Sequence, residues 1–142
     1  GTAKDFILID TADFKLEENL TKEIESATIR TFNSNGFPID VAMQVYFVDS
    51  TYKALDSLVN PYQLILKSAI VNPVTGKVVS PTEKIFDATI THERVNKLKR
   101  AKYLLIKATA TTTSGGNTNV KIYANYKIDV KLGVQAQIKK KI

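Results

Sequence analysis

From residue 120 to residue 139 the chain alternates apolar and polar side chains with almost no interruption. Val120, Ile122, Ala124, Tyr126, Ile128, Val130, Leu132, Val134, Ala136 and Ile138 share one parity. Lys121, Tyr123, Asn125, Lys127, Asp129, Lys131, Gln135, Gln137 and Lys139 share the other, and Gly133 alone lacks a side chain. A period of two sets one group against a core and the other in water, which is the pattern of a half-buried antiparallel strand. At about 3.3 Å per residue the stretch would run roughly 60 Å, two to three times an ordinary strand. It must therefore bend, cross between sheets or project past the body. Gly133 is the expected bend, because it interrupts the polar face and permits a bulge or kink. Beyond it, Val134, Ala136 and Ile138 keep an apolar stripe that is unfavourable if left bare. They are the candidate interaction strand, expected to pack on the domain's own second sheet or to complete a neighbouring subunit or domain by strand addition.

The remaining chain reads as strands as well. Ile39, Val41, Met43, Val45 and Phe47 alternate with Asp40, Ala42, Gln44 and Tyr46, and they form the expected core together with Ile122, Tyr126, Ile128, Val130 and Leu132. Residues 24–33 place Ala27, Ile29 and Thr31 opposite Glu25, Thr28 and Arg30, and Asn33-Ser34-Asn35-Gly36 then signals a turn. Residues 6–9 form a short apolar edge or entry strand, and residues 10–20 an acidic loop with a strand fragment near Phe14 and Leu16. In residues 62–71, Tyr62, Leu64, Leu66 and Ile70 face one way, Gln63, Lys67 and Ala69 the other. Residues 72–76 turn the chain into a short return strand. Pro61, Pro73 and Pro81 sit at boundaries, where a missing N–H costs least. Thr91 caps the one helix, residues 92–100, with Val95 and Leu98 inward and Lys97, Lys99 and Arg100 at its positive-tolerant end. Residues 103–113 put Leu104, Ile106, Ala108 and Ala110 inside, and Ser114-Gly115-Gly116-Asn117 makes a hairpin into the long last strand. The fold class is all-β: a two-sheet antiparallel sandwich, immunoglobulin-like in pattern, of about eight strands with one short connecting helix. A closed barrel is the minority alternative. Residues 1–142 form a single domain, with 1–20 a less regular lead-in.

Composition narrows the chemistry. The chain has no cysteine, so it holds neither disulfide nor thiolate metal site. Its net charge is +6, but the aromatics lie within strand patterns and not among the basic residues, so solvated faces and a solubilising tail explain the charge better than nucleic acid. It opens on Gly1-Thr2 and not Met, and reads as a mature fragment or the remnant of a removed tag. His92, the single histidine, stands at a helix start with no positioned nucleophile, so a solvated first-turn residue is expected. No Gly-x-Ser-x-Gly elbow occurs. Asp10, Asp13, Glu17 and Glu18 could line a Ca²⁺ loop, but their spacing fits no EF-hand and solvation of a loop is the better reading. No catalytic residue, cofactor or metal ligand is assigned, and an enzyme is not expected.

The run Thr28-Ile29-Arg30-Thr31-Phe32-Asn33-Ser34-Asn35-Gly36-Phe37-Pro38-Ile39-Asp40-Val41 carries a resemblance. A strand, an Asn-rich turn, Phe-Pro and a second alternating strand resemble the secreted β-sandwich domains of Bacteroidota surface lipoproteins. Val45-Tyr46-Phe47-Val48-Asp49-Ser50, Asp56-Ser57-Leu58 and Gly76-Lys77-Val78 extend that resemblance over residues 24–134. The run also resembles, more weakly, the sandwich of late-embryogenesis-abundant and WHy-type proteins, whose Asn-Pro pair is here Gly36-Phe37-Pro38. The resemblance implies a non-enzymatic structural or binding module of the cell envelope, with membrane proximity through an anchor elsewhere in the parent chain. The expected partner is a protein or a neighbouring envelope domain, engaged through sheet faces or edges. The alternative function is a carrier of lipid or another apolar ligand in a sandwich or barrel groove.

Overall fold

The computed structural model describes residues 5–16, 24–60, 62–111 and 126–138. Along these run β1 (Asp5–Asp13), β2 (Ile24–Asn35), β3 (Val41–Val48), β4 (Ala54–Ser57), β5 (Leu64–Leu66), β6 (Ile70–Val71) and β7 (Val78–Ser80). Then follow β8 (Thr82–Thr91), α1 (His92–Leu98), β9 (Tyr103–Thr111) and β10 (Ile128–Ile138). One sheet has the order β1-β9-β3-β4, with β5 pairing β3 beside β4; a second has the order β10-β2-β8; β6 and β7 form a separate hairpin. Among the described residues every pairing is antiparallel, and neither large sheet closes on itself. The protein is, among the described residues, a sandwich-like, all-β fold with one short helix.

Alternation explains which residues meet between the sheets. Val41, Met43, Val45 and Phe47 pair with Ala110, Ala108, Ile106 and Leu104 across the β3–β9 ladder, and the first four are completely buried, with Ile39 just ahead of them. Small residues at 108 and 110 let the facing sheet approach closely. From the other sheet come Ala27 and Ile29 of β2 and Ala88 and Ile90 of β8. Tyr126, Ile128, Val130 and Leu132 pack against this core while only partly buried, and Ile122 lies outside the described residues.

Several expectations need correction. β2 does not turn at Asn33; it continues to Asn35, and the inward face of its second half is polar. Thr31, Asn33 and Asn35 are buried there: Thr31 Oγ1 donates to the Phe86 carbonyl and Asn33 Nδ2 to the Lys84 carbonyl at 3.1 Å, while Asn33 Oδ1 has no partner among the described residues. Asn35 Nδ2 donates to the carbonyls of Ile39 (2.9 Å), Leu66 (3.3 Å) and Lys67 (3.0 Å), and Oδ1 accepts from Phe37 N at 2.9 Å. The turn signal was therefore real but shifted: Asn35 organises the bend at 36–40 from within the strand. Gly36 is required there, since a Cβ would lie 2.8 Å from the carbonyl oxygen of Lys127.

β1 is longer than the apolar run at its start. It pairs with β9 through Asp13 without a register shift, so the acidic stretch is strand and not loop over these residues. Residues 62–71 are not one stripe either. Leu64 and Leu66 are buried, but the chain breaks at 67–69, where Ser68 N donates to Asp40 and Ala69 N to the Phe37 carbonyl. Ala69 is consequently buried and Ile70 exposed. The last strand is straight through Gly133, which pairs with Arg30; the single irregularity falls between Gln137 and Ile138. The expected bend at Gly133 is absent because β2 is long enough to pair with all of β10. The hairpin loop expected at 114–117 lies outside the described residues.

Candidate interaction edge

The two lateral sides of the sandwich are built differently. On the β4/β5/β8 side the sheets are stitched together. Thr91 Oγ1 caps α1 by accepting from Arg94 N, and Val95 and Leu98 bury the helix's apolar stripe. Arg94 Nε then reaches Asp56 at 2.8 Å and Arg94 Nη2 the Ser57 carbonyl at 2.9 Å, binding the helix to β4. Thr82 Oγ1 donates to the Ser68 carbonyl at 2.7 Å, and Asn35 ties β2 to the end of β5. His92 belongs to this strap: its Nδ1 lies 2.6 Å from the Ile24 carbonyl oxygen, so the ring joins the helix start to β2.

The β1/β10 side carries no such stitches among the described residues. Among the described residues β1 ends one sheet and β10 ends the other, and no backbone ladder joins them. Their inward faces follow from the ladders. Leu8 and Ala12 share the face of Ala108 and Leu104, while Val134 and Ala136 share the face of Ile29 and Ala27. These inward positions remain wet: Leu8 is 41%, Val134 42% and Ile138 49% exposed, and Ala136 is exposed too. Between the strands lies an open groove of about 400 Å³ lined mainly by Ala12, Val45, Leu104, Ile106, Val130 and Leu132. A second hollow of about 550 Å³ adjoins it, sharing Ala12, Ile106 and Val130. Phe14, edge-on to Phe47 at 5.2 Å, stands at one end; Tyr126, edge-on to Phe37 at 6.1 Å, stands at the other.

The outward face of β1 is also apolar, with Ile7 and Ile9 58% and 60% exposed. Natural edge strands are ordinarily protected by lysine, proline or a bulge. β1 has no lysine, proline or bulge in its nine residues; its protection is confined to its aspartates, of which Asp10 falls on the inward parity. The apolar run at 6–9 was the sequence signal for this edge. What it missed was the continuation through Thr11 and Ala12, because Asp10 interrupts the inward parity.

The candidate strand residues Val134, Ala136 and Ile138 thus come together on one face of one strand, and Val134 among them lines the groove. The acidic candidates do not converge. Asp10 and Asp13 sit on opposite faces of β1, since strand neighbours an odd number apart point apart, and Glu17 and Glu18 lie outside the described residues. Among the described residues no group of three or more His, Cys, Asp or Glu side chains is placed to hold a metal. Lys127 and Asp129 form an ion pair at 3.5 Å beside the second hollow. Arg30 and Asp87 meet at 2.8 Å across the outer face of the second sheet, and their mutual hydrogen bond lowers the Asp87 pKa and raises that of Arg30.

No protein-family model matches the chain, and no curated protein matches it. Among solved structures it is similar to a protein of Parabacteroides distasonis assigned as secreted, with a TM-score of 0.57 and 19% identity over 90% of this chain. The chain spans 37% of that protein's length. Infectious bursal disease virus VP2 in its subviral particle also aligns, at a TM-score of 0.46 and 11% identity, over 92% of this chain and 29% of that one. The first likeness establishes a shared fold and agrees with the Bacteroidota resemblance carried by residues 24–134.

Proposed function

We propose that this chain is a non-catalytic structural or binding module of a secreted or cell-envelope protein, and that it engages a polypeptide partner through the edge formed by β1 and β10. The observation that carries this reading is the asymmetry of the sandwich. One side is strapped by α1, Arg94 and Asn35; the other leaves inward-pointing Leu8, Val134 and Ile138 in water. An extended partner strand hydrogen-bonds to a free edge and seats alternate side chains in the adjoining groove, which covers both the backbone and the apolar stripe. Location in the envelope or outside the cell is supported by the fold shared with a secreted-type protein of a Bacteroidota species. The partner is a protein or a neighbouring domain, and Val134, Ala136 and Ile138 form its contact strand.

A photo-crosslinking amino acid at Val134 tests this in the cell-envelope fraction of the source organism. Adducts with a polypeptide should form from Val134 and not from Thr89, which is exposed on the far face of β8. Equal labelling from both positions, or none from Val134, would contradict it.

A second reading draws on the groove itself. Its apolar lining and a volume of about 400 Å³ suit a small apolar ligand. Native mass spectrometry after gentle purification decides between them: a mass increment lost on denaturation supports a ligand, a clean chain mass removes it.

A further inference from the structure

Asn35-Gly36 is the one Asn-Gly pair in the chain. In an unfolded polypeptide such a pair is chemically labile. The backbone N of glycine, unshielded by any side chain on its own residue, attacks the side-chain carbon Cγ of the asparagine and expels the amide nitrogen.

The fold both demands this pair and blocks its reaction. Asn35 is demanded by its bonds: Nδ2, the group that would leave, donates to the carbonyls of Ile39, Leu66 and Lys67, and Oδ1 accepts from Phe37 N. Gly36 is demanded by the close approach of Lys127, whose carbonyl oxygen lies 2.8 Å from where a Cβ would stand. The same contacts hold the reacting atoms apart from their chemistry. Gly36 N, which would attack, donates to that Lys127 carbonyl at 2.9 Å. The Asn35 carboxamide is fully buried, and turning it toward Gly36 N would leave three carbonyls without a donor.

We propose that Asn35-Gly36 is a modification site that reacts only when the 36–40 bend opens, and that its reaction makes unfolding irreversible. In the open chain Gly36 N gives its proton to solvent hydroxide and bonds to Asn35 Cγ. The Cγ–Nδ2 bond breaks, and Nδ2 leaves as ammonia after taking a proton from water. Water then adds to either carbonyl of the succinimide ring and opens it, giving an aspartate at 35 or an isoaspartyl link. No oxidant or reductant takes part. Neither product rebuilds the native contacts. Aspartate brings an acceptor where three carbonyls need a donor, and the isoaspartyl link lengthens the main chain by a carbon between β2 and the point where Gly36 meets Lys127. The native rate follows the fraction of time the bend is open, and the unfolded rate follows the chemistry alone. The lifetime of the domain is then governed by how often this bend opens.

Peptide mass mapping of the amide-to-acid change at residue 35 tests this. The chain is held at mildly alkaline pH in two samples, one native and one unfolded in guanidinium chloride. The native sample should convert at least about a hundredfold more slowly. After the denaturant is removed, the unfolded sample should fail to regain native signal in proportion to its conversion. A control unfolded for the same time at mildly acidic pH, where backbone attack is slow, should refold fully. Gly36→Ala, compared in denaturant so that its folding does not matter, should slow conversion about tenfold. Equal conversion of native and unfolded chains would overturn the proposal, because the site would then be open in the folded protein. Full refolding of converted chains, or conversion unchanged by Gly36→Ala, would overturn it as well.

Discussion

Val134 stands directly across from Ile29 in the β10–β2 ladder, on the same inward face, yet Ile29 is 1% exposed and Val134 is 42%. The two are one strand apart, and the difference is the presence of the opposing sheet over one and not the other. Burial therefore ends inside β10, at the boundary between core and edge.

That boundary predicts a contrast in stability. Ile29→Ala should cost about 2–4 kcal/mol, from lost transfer energy and the cavity left behind. Val134→Ala should cost under about 1 kcal/mol in the isolated chain. Chemical denaturation of the two variants measures both; equal losses would show that Val134 is packed in the free molecule.

Removing the apolar character of β1 should change association and not folding. Ile7→Lys with Ile9→Lys supplies the protection that edge strands ordinarily carry, on side chains already in water. The melting curve should stay within the equivalent of about 1 kcal/mol, while polypeptide adducts from the photo-crosslinker at Val134 disappear. A large loss of stability would place these residues in a folded contact.

Asn35 predicts the opposite behaviour. Its amide is fully buried and holds three carbonyls and one N–H around the 36–40 bend. Asn35→Ala should destabilise by about 2–4 kcal/mol, because the orphaned carbonyls stay desolvated. Asn35→Asp should be worse at neutral pH, since a carboxylate would face the same carbonyl oxygens. A mild effect from both would mean that the bend is held by packing alone.

Asp49 gives a pH dependence. Its carboxylate accepts from the Thr51 hydroxyl, then from the Lys53 and Thr51 N–H groups, and these bonds hold its pKa below the usual carboxylate range. They also brace a turn in which Tyr52 takes a left-handed φ of 64° and stacks on Tyr103 at 5.0 Å. A lowered folded-state pKa contributes stability that is complete above the ordinary carboxylate pKa and is lost as pH falls through the folded value. Asp49→Ala should therefore be less stable than the parent at about pH 7, with the gap closing toward about pH 2. A gap that widens in acid would reverse the assignment.

Strong alternation made much of this architecture readable from sequence. The β3 core face, the inward set of β9, the Thr91 cap and the 72–76 turn follow from local pattern, because each answers to its own periodicity or backbone geometry. The misreadings arose where tertiary contact overrides local preference. Asn33 and Asn35 look like turn residues, but partners distant in sequence draw them into a buried strand face. Gly133 looks like a bend, but a paired β2 holds it straight. The exposure of Val134, Ala136 and Ile138 depends on where the opposing sheet stops, a global property to which alternation is blind.

Amide hydrogen exchange tests the central claim, that the β1/β10 edge is the surface through which this protein binds a polypeptide. Exchange is compared for the chain alone and with the cell-envelope fraction of its source. Residues 7–13 and 130–138 should gain protection, while 84–91 and 54–57, on the strapped side, should not change. Protection gained only on the strapped side, or nowhere, would contradict the account.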